Sequence, residues 1–115
     1  MFNKAEELLN LCSSQNKKIS DIVIDKELSS SDLSHEELIN KMEDILKVMK
    51  ESATAALDKE IKSISGLTGG NAKKVEEYKN EHKTLSGIFV NSAMARAFST
   101  SEVNASMGKI VAAPP

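Results

Sequence analysis

Three observations predict an all-α protein of about five helices joined by Gly-rich turns. Apolar residues recur at helical spacing along most of the chain. No segment shows a secure strand pattern with a pairing partner. The five glycines fall between the periodic segments, not inside them. With 115 residues the chain is one domain or part of one. Aromatics make up only 3% and Trp is absent, so Leu, Ile, Val, Met and Ala must build any core.

The first helix is expected over residues 4–14, with Asn3 as cap and Glu6 at the capping-box position. Ala5, Leu8, Leu9 and Cys12 share one of its faces. Residues 19–28 carry the β-branched Ile19, Ile22, Val23 and Ile24, which suit a strand. The same residues fit a helical face, and without a partner strand a short helix is the better reading. Ser29, Ser30, Ser31 and Asp32 then form a solvated turn. Ser34-His35-Glu36-Glu37 is a capping box opening a long helix over 35–61. Its stripe comprises Leu38, Met42, Ile45, Leu46, Met49, Ala53, Ala56 and Leu57. At about 1.5 Å per residue such a helix is roughly 40 Å long. Residues 1–30 cannot cover all of that stripe, so the second half of the chain or another chain must cover the rest. Asn71 is placed to cap a helix over 72–82, with Val75 and Tyr78 facing inward. After Ser86-Gly87, an Ala-rich helix over 88–101, extending toward Gly108, carries Ile88, Phe89, Ala93, Ala95 and Phe98.

Charge excludes some functions. Residues 1–62 hold 9 basic against 13 acidic groups, and residues 63–115 hold 6 against 4. Neither part has a nucleic-acid footprint. No apolar run approaches the roughly 18 residues that span a bilayer, and the first residues, Met1 to Glu7, do not read as a signal peptide. A cytoplasmic protein is expected, with neither nucleic acid nor membrane as partner. The single Cys12 cannot form an intramolecular disulfide, nor hold a metal centre alone.

Three stretches in residues 63–115 bear on chemistry. Ser65-Gly66-Leu67-Thr68-Gly69-Gly70-Asn71 precedes a helix, where free N–H groups and the helix dipole favour an anion such as a carboxylate. It lacks the Gly-Lys-Ser/Thr of a P-loop, and an ordinary connecting turn is the alternative. Lys83-Thr84-Leu85-Ser86-Gly87 follows His82, whose imidazole could move a proton near neutral pH. A capped turn explains the same residues. Asn104-Ala105-Ser106-Met107-Gly108 sets polar groups among small ones and reads equally as a helix end. Cys12 reads as a core thiol. Met42 and Met49 read as core, and the acidic neighbours as solvated faces.

In order, spacing and wording these stretches resemble the α chain of the iron–sulfur-dependent bacterial L-serine dehydratases. The likeness runs through Ser65–Lys74, Lys83–Gly87 and Glu102–Pro114, with a looser likeness at Lys18–Ile22 and Val48-Met49. It implies a part of the larger helical α domain, with residues 1–62 as its helical beginning and 63–115 as its motif-bearing half. The parent reaction takes L-serine to pyruvate and ammonia. In that family one open iron of a [4Fe–4S] cluster polarises the substrate hydroxyl, and a base removes the Cα proton. The resemblance makes Ser65, Thr68, Gly69, Gly70, Asn71, Asn104 and Ser106 the candidate substrate-binding residues. It places the catalytic base on no residue here. The family's cluster cysteines have no counterpart in this chain, and Cys12 matches none of them. The chain is therefore expected to be a truncated α chain, inactive alone and binding no cluster. Its partners would be the remainder of the α chain and a β chain or β domain, with a homodimer as a further arrangement. The competing reading is a stand-alone helical interaction module that uses the 35–61 helix.

Overall fold

Five helices form, α1 (Ala5–Gln15), α2 (Ile19–Ser30), α3 (His35–Thr54), α4 (Asn71–Glu81) and α5 (Gly87–Ala105). The computed structural model describes residues 2–111. Among them no strand occurs, only one isolated antiparallel bridge between Lys62 and Gly69. The expected all-α class is thus the observed one. The chain divides into two compact units, Met1–Glu43 and Asp44–Pro115, and the division falls inside α3.

In the first unit α1 packs on α2, and Ile22 is buried. Leu8, Leu11 and Cys12 are half-buried, whereas Ala5 and Leu9 are exposed, so the inner face of α1 is narrower than its spacing predicts. The cap of α1 also differs from expectation. Glu7, not Glu6, turns back to accept from the N–H of Asn3 at 2.7 Å. Lys26 donates to the Phe2 carbonyl at 3.0 Å and lies 4.3 Å from the centre of the Phe2 ring. Lys17 pairs with Asp25 at 2.6 Å, and that carboxylate raises the lysine pKa. α2 runs through Ser29 and Ser30, in place of the expected solvated turn, and both hydroxyls donate to the Lys26 carbonyl, at 2.8 and 3.0 Å. α3 opens on the expected capping box. Glu37 accepts from the Ser34 N–H at 2.8 Å and the hydroxyl at 2.7 Å, and both bonds lower its pKa.

In the second unit the dominant packing is α4 against α5. Its core is built of small residues, with Ala56, Ala72, Ala95 and Val103 buried. Such side chains let backbones approach closely, and polar groups fill the rest: Ser52, Asn91, Ser99 and Glu102 are buried too.

α3 stops at Thr54, well short of the expected 61. The cause is a hydroxyl from another helix. Ser99, fully buried, donates to the Ser52 carbonyl at 2.7 Å and accepts from the Ala56 N–H at 3.0 Å. Those two backbone groups are the pair that would form the next i→i+4 bond of α3. A side chain inserted there ends the ladder, and the chain leaves through a tight turn in which Leu57 N–H donates to Thr54.

The inward face of α5 is also not the expected one. Asn91, Ala95, Ser99, Glu102 and Val103 are buried. Ile88, Phe89 and Phe98 point to solvent, Phe89 with 88% of its surface exposed, and Ala93 is exposed as well. Tyr78 is likewise 55% exposed; it stacks on His82 with centroids 4.4 Å apart. On α3, Met42, Ile45, Leu46 and Met49 are exposed.

Replacing Ser99 with Ala removes the partner of two buried backbone groups. Urea unfolding of the variant should show a loss of about 1 kcal/mol or more. An unchanged midpoint would contradict the bridging role assigned to the hydroxyl.

Candidate functional site

The loop between α3 and α4 is folded on itself by serine side chains. Ser63 N–H donates to the Thr68 carbonyl at 2.9 Å, and Gly66 N–H donates back to the Ser63 carbonyl at 2.8 Å. The Ser63 hydroxyl accepts from the Thr68 N–H at 3.2 Å, and the Ser65 hydroxyl accepts from the Leu67 N–H. The two hydroxyls lie 3.1 Å apart. The loop's own N–H groups at 66–68 are therefore turned inward.

Two glycines make the return to α4 feasible. Gly69 has φ 131° and Gly70 φ 82°, backbone regions that side chains disfavour. A Cβ on Gly69 would collide with the Ile61 carbonyl, and one on Gly70 would meet the Glu60 side chain. Glu60 is itself paired with Lys62 at 2.8 Å, which lowers its pKa.

The N-terminus of α4 is closed by a carboxylate from the last turn of α5. Glu102 Oε1 accepts from the Asn71 N–H at 2.6 Å and the Ala72 N–H at 3.2 Å. Only 6% of Glu102 is exposed, and its second carboxylate oxygen has no partner among the described residues. The physics that suggested an anion here holds, but the anion is the chain's own. Free N–H groups and the positive end of the α4 dipole attract the Glu102 carboxylate. Asn71 is thus the first residue of α4, not a side-chain cap.

The end of α5 lies against the same loop. Ile64 N–H donates to the Ala105 carbonyl at 3.1 Å. Past Ala105 the helix closes with Gly108 N–H on the Val103 carbonyl at 2.8 Å and Met107 N–H on that of Asn104 at 3.0 Å. This is a common helix-ending pair of bonds, with Met107 in the left-handed region at φ 64°. A Cβ on Gly108 would strike Val103. The Ser106 hydroxyl donates to the Val103 carbonyl at 2.8 Å.

The stretches 65–71 and 102–108, more than 30 positions apart, are therefore brought together. Within them Ser65, Thr68, Asn71 and Asn104 are exposed, and Ser106 is half-buried. Gly70 is buried and Gly69 half-buried, so these two shape the loop from beneath. The third stretch is held elsewhere on α5. Asn91 donates through Nδ2 to Thr84 Oγ1 at 2.8 Å, Ser86 Oγ at 3.2 Å and the Gly87 carbonyl at 2.8 Å. His82 is exposed beyond the end of α4, its N–H on the Tyr78 carbonyl. Cys12 is half-buried on α1. Among the described residues, no three His, Cys, Asp or Glu side chains gather as a metal-holding group.

Sequence reasoning missed Glu102, Ser99 and Asn91 as structural anchors. Their signal is present: Asn91, Ala95, Ser99 and Glu102 recur at spacings of four, four and three, one helical face of small and polar residues.

A family model described as the serine dehydratase alpha chain matches residues 14–115. Two curated relatives align over 114 residues, 99% of this chain. The "L-serine dehydratase, alpha chain" of Peptoniphilus asaccharolyticus is 44% identical, with 39% of its length covered. The "Probable L-serine dehydratase, alpha chain" of Bacillus subtilis (strain 168) is 35% identical, with 38% covered. The chain thus spans about two-fifths of the length of these relatives. No solved structure matches it.

Replacing Glu102 with Ala leaves the α4 N–H groups facing a void. A destabilisation of about 1.5–3 kcal/mol is expected, the range for a hydrogen bond to a charged group. Glu102→Gln keeps the shape and one acceptor and should lose less. Urea unfolding of both variants measures this, and an Ala variant as stable as the parent chain would refute the capping role.

Proposed function

The chain belongs to the serine dehydratase α-chain family, and from that premise we propose that it forms the N-terminal helical part of an enzyme that converts L-serine to pyruvate and ammonia. The observation that carries this reading is the meeting of residues 65–71 with residues 102–108, joined by Glu102 on α4 and by the Ile64–Ala105 bond. In the proposed enzyme this junction is one wall of the serine site.

The chemistry of that wall follows from which donors are unengaged. The N–H groups of 66–68 and 71–72 already have partners in the chain. The side chains of Thr68, Asn71 and Asn104 make no hydrogen bond among the described residues and stand exposed. Ser65 and Ser106 have hydroxyls engaged within their own turns, and each keeps acceptor capacity. In this reading Thr68, Asn71 and Asn104 donate to the substrate carboxylate, and Ser65 and Ser106 border it. Gly69 and Gly70, with φ of 131° and 82°, let the chain pass closely over Ile61 and Glu60 between Thr68 and α4. The donors fix the carboxylate and so orient the Cα–H and the hydroxyl for chemistry done by other groups.

The residues present do not fit an iron–sulfur cluster. One cysteine and no three-residue ligand group among the described residues cannot hold four irons. Any cluster in the proposed enzyme takes its ligands from sequence outside this chain. In this reading the chain works together with the remaining α-chain sequence and a β chain or β domain, a reading supported by its covering only about two-fifths of relatives named as alpha chains. Among the described residues no helix is long and apolar enough to cross a membrane.

The test uses the intact Peptoniphilus enzyme, assayed anaerobically for pyruvate. Substituting the residues at the positions of Thr68 and Asn104, by Val and Ala respectively, should raise KM for serine about tenfold or more each. Unchanged KM and turnover in both variants would remove these residues from the serine site.

A further inference from the structure

Among the described residues nothing covers the outer face of α5. Ile88, Phe89, Val90, Met94 and Phe98 are all exposed large hydrophobic residues on one helix. Arg96 is the one charged residue of α5 besides the buried Glu102. A contiguous exposed apolar patch marks a contact surface.

The face has a definite relief. Val90, Met94 and Phe98 stand at i, i+4 and i+8 and form a ridge. Beside it Ala93, Ala97 and Ser101, all exposed, form a row of small side chains. On the far side of that row run Ser92, Arg96 and Thr100: the Ser92 hydroxyl accepts from Lys79 Nζ of α4 at 3.2 Å, Arg96 donates to the Ser92 carbonyl at 3.2 Å and the Thr100 hydroxyl to the Arg96 carbonyl at 3.2 Å. Arg96 makes no ion pair among the described residues. A groove of small residues between two ridges accepts the ridge of another helix, at an interaxial distance near the short end of the usual 8–10 Å.

We infer that this groove seats a helix from the remaining α-chain sequence, apolar where it meets Ala93 and Ala97 and carrying an acidic residue opposite Arg96. The inference rests on the family reading of the chain. The occupant is argued from length: about three-fifths of each relative's α chain lies outside the matched region. That is ample sequence to supply a helix. A lone charge on the groove's rim then finds its counter-ion in the same polypeptide. Seating the helix would also cover the side of α5 opposite Asn91, Ser99 and Glu102, so that α5 becomes the central helix of the complete domain.

Carbene footprinting with mass spectrometry tests this without requiring activity. The 115-residue chain at low concentration is compared with the intact Peptoniphilus α chain, first alone and then with its β partner. The peptide matching residues 88–101 should be labelled heavily in the 115-residue chain and several-fold less in the intact α chain alone. Equal labelling in the two would overturn the inference. So would protection that arises only on adding the β partner, or protection of the 115-residue chain through a dimer of itself. If the intact α chain protects this peptide while the Thr68 and Asn104 substitutions leave serine kinetics unchanged, the groove stands and the proposed serine site fails.

Discussion

A carboxylate supplied by the last turn of α5 closes the N-terminus of α4, 31 positions earlier in the chain. Helix N-termini expose N–H groups that need acceptors, and α4 has no capping side chain of its own at Gly70. Glu102 therefore ties together two elements that local sequence leaves unconnected. The same helix repeats the device twice. Ser99 intercepts the next hydrogen bond that would extend α3, and Asn91 gathers the turn at 84–87. With a core made of alanines and one valine, polar anchors on one face of α5 decide where the other segments of this unit end.

That arrangement explains which features were legible in the sequence. Helix existence follows from local periodicity, so all five helices could be read from spacing. The Ser34–Glu37 box is a local signal, and it forms as written. The end of α3 is not local, because it is set by a hydroxyl 43 to 47 positions away. Nor is the face of α5. Ile88, Phe89 and Phe98 look like core by hydrophobicity, yet this chain buries Ala95, Ser99 and Glu102 instead. Large apolar residues face outward where small and polar ones make the closer contact with α4. Tyr78 misleads for a related reason, since its ring is satisfied by stacking on His82 at the surface.

The Gly-rich turn shows how a correct physical premise can have an unexpected occupant. A helix N-terminus after Gly69-Gly70 does attract a negative charge, and the chain fills the position itself. The capping carboxylate brings Asn104 and Ser106 alongside the loop, because Glu102 opens the stretch that contains them. In the function we propose, the Glu102 cap is what assembles the serine-facing wall, while exposed side chains do the recognising. The outward apolar face of α5 then belongs to the same logic: one side organises this chain, and the other meets the rest of the polypeptide.

Amide hydrogen exchange in the 115-residue chain tests the anchoring by α5 most directly. The N–H groups of Asn71 and Ala72, held by Glu102, and of Ala56, held by Ser99, are predicted to exchange slowly, in step with the amides in the middle of α5. If these three exchange as fast as exposed loop amides while the middle of α5 remains protected, the buried polar face of α5 does not hold the neighbouring segments, and the account is wrong.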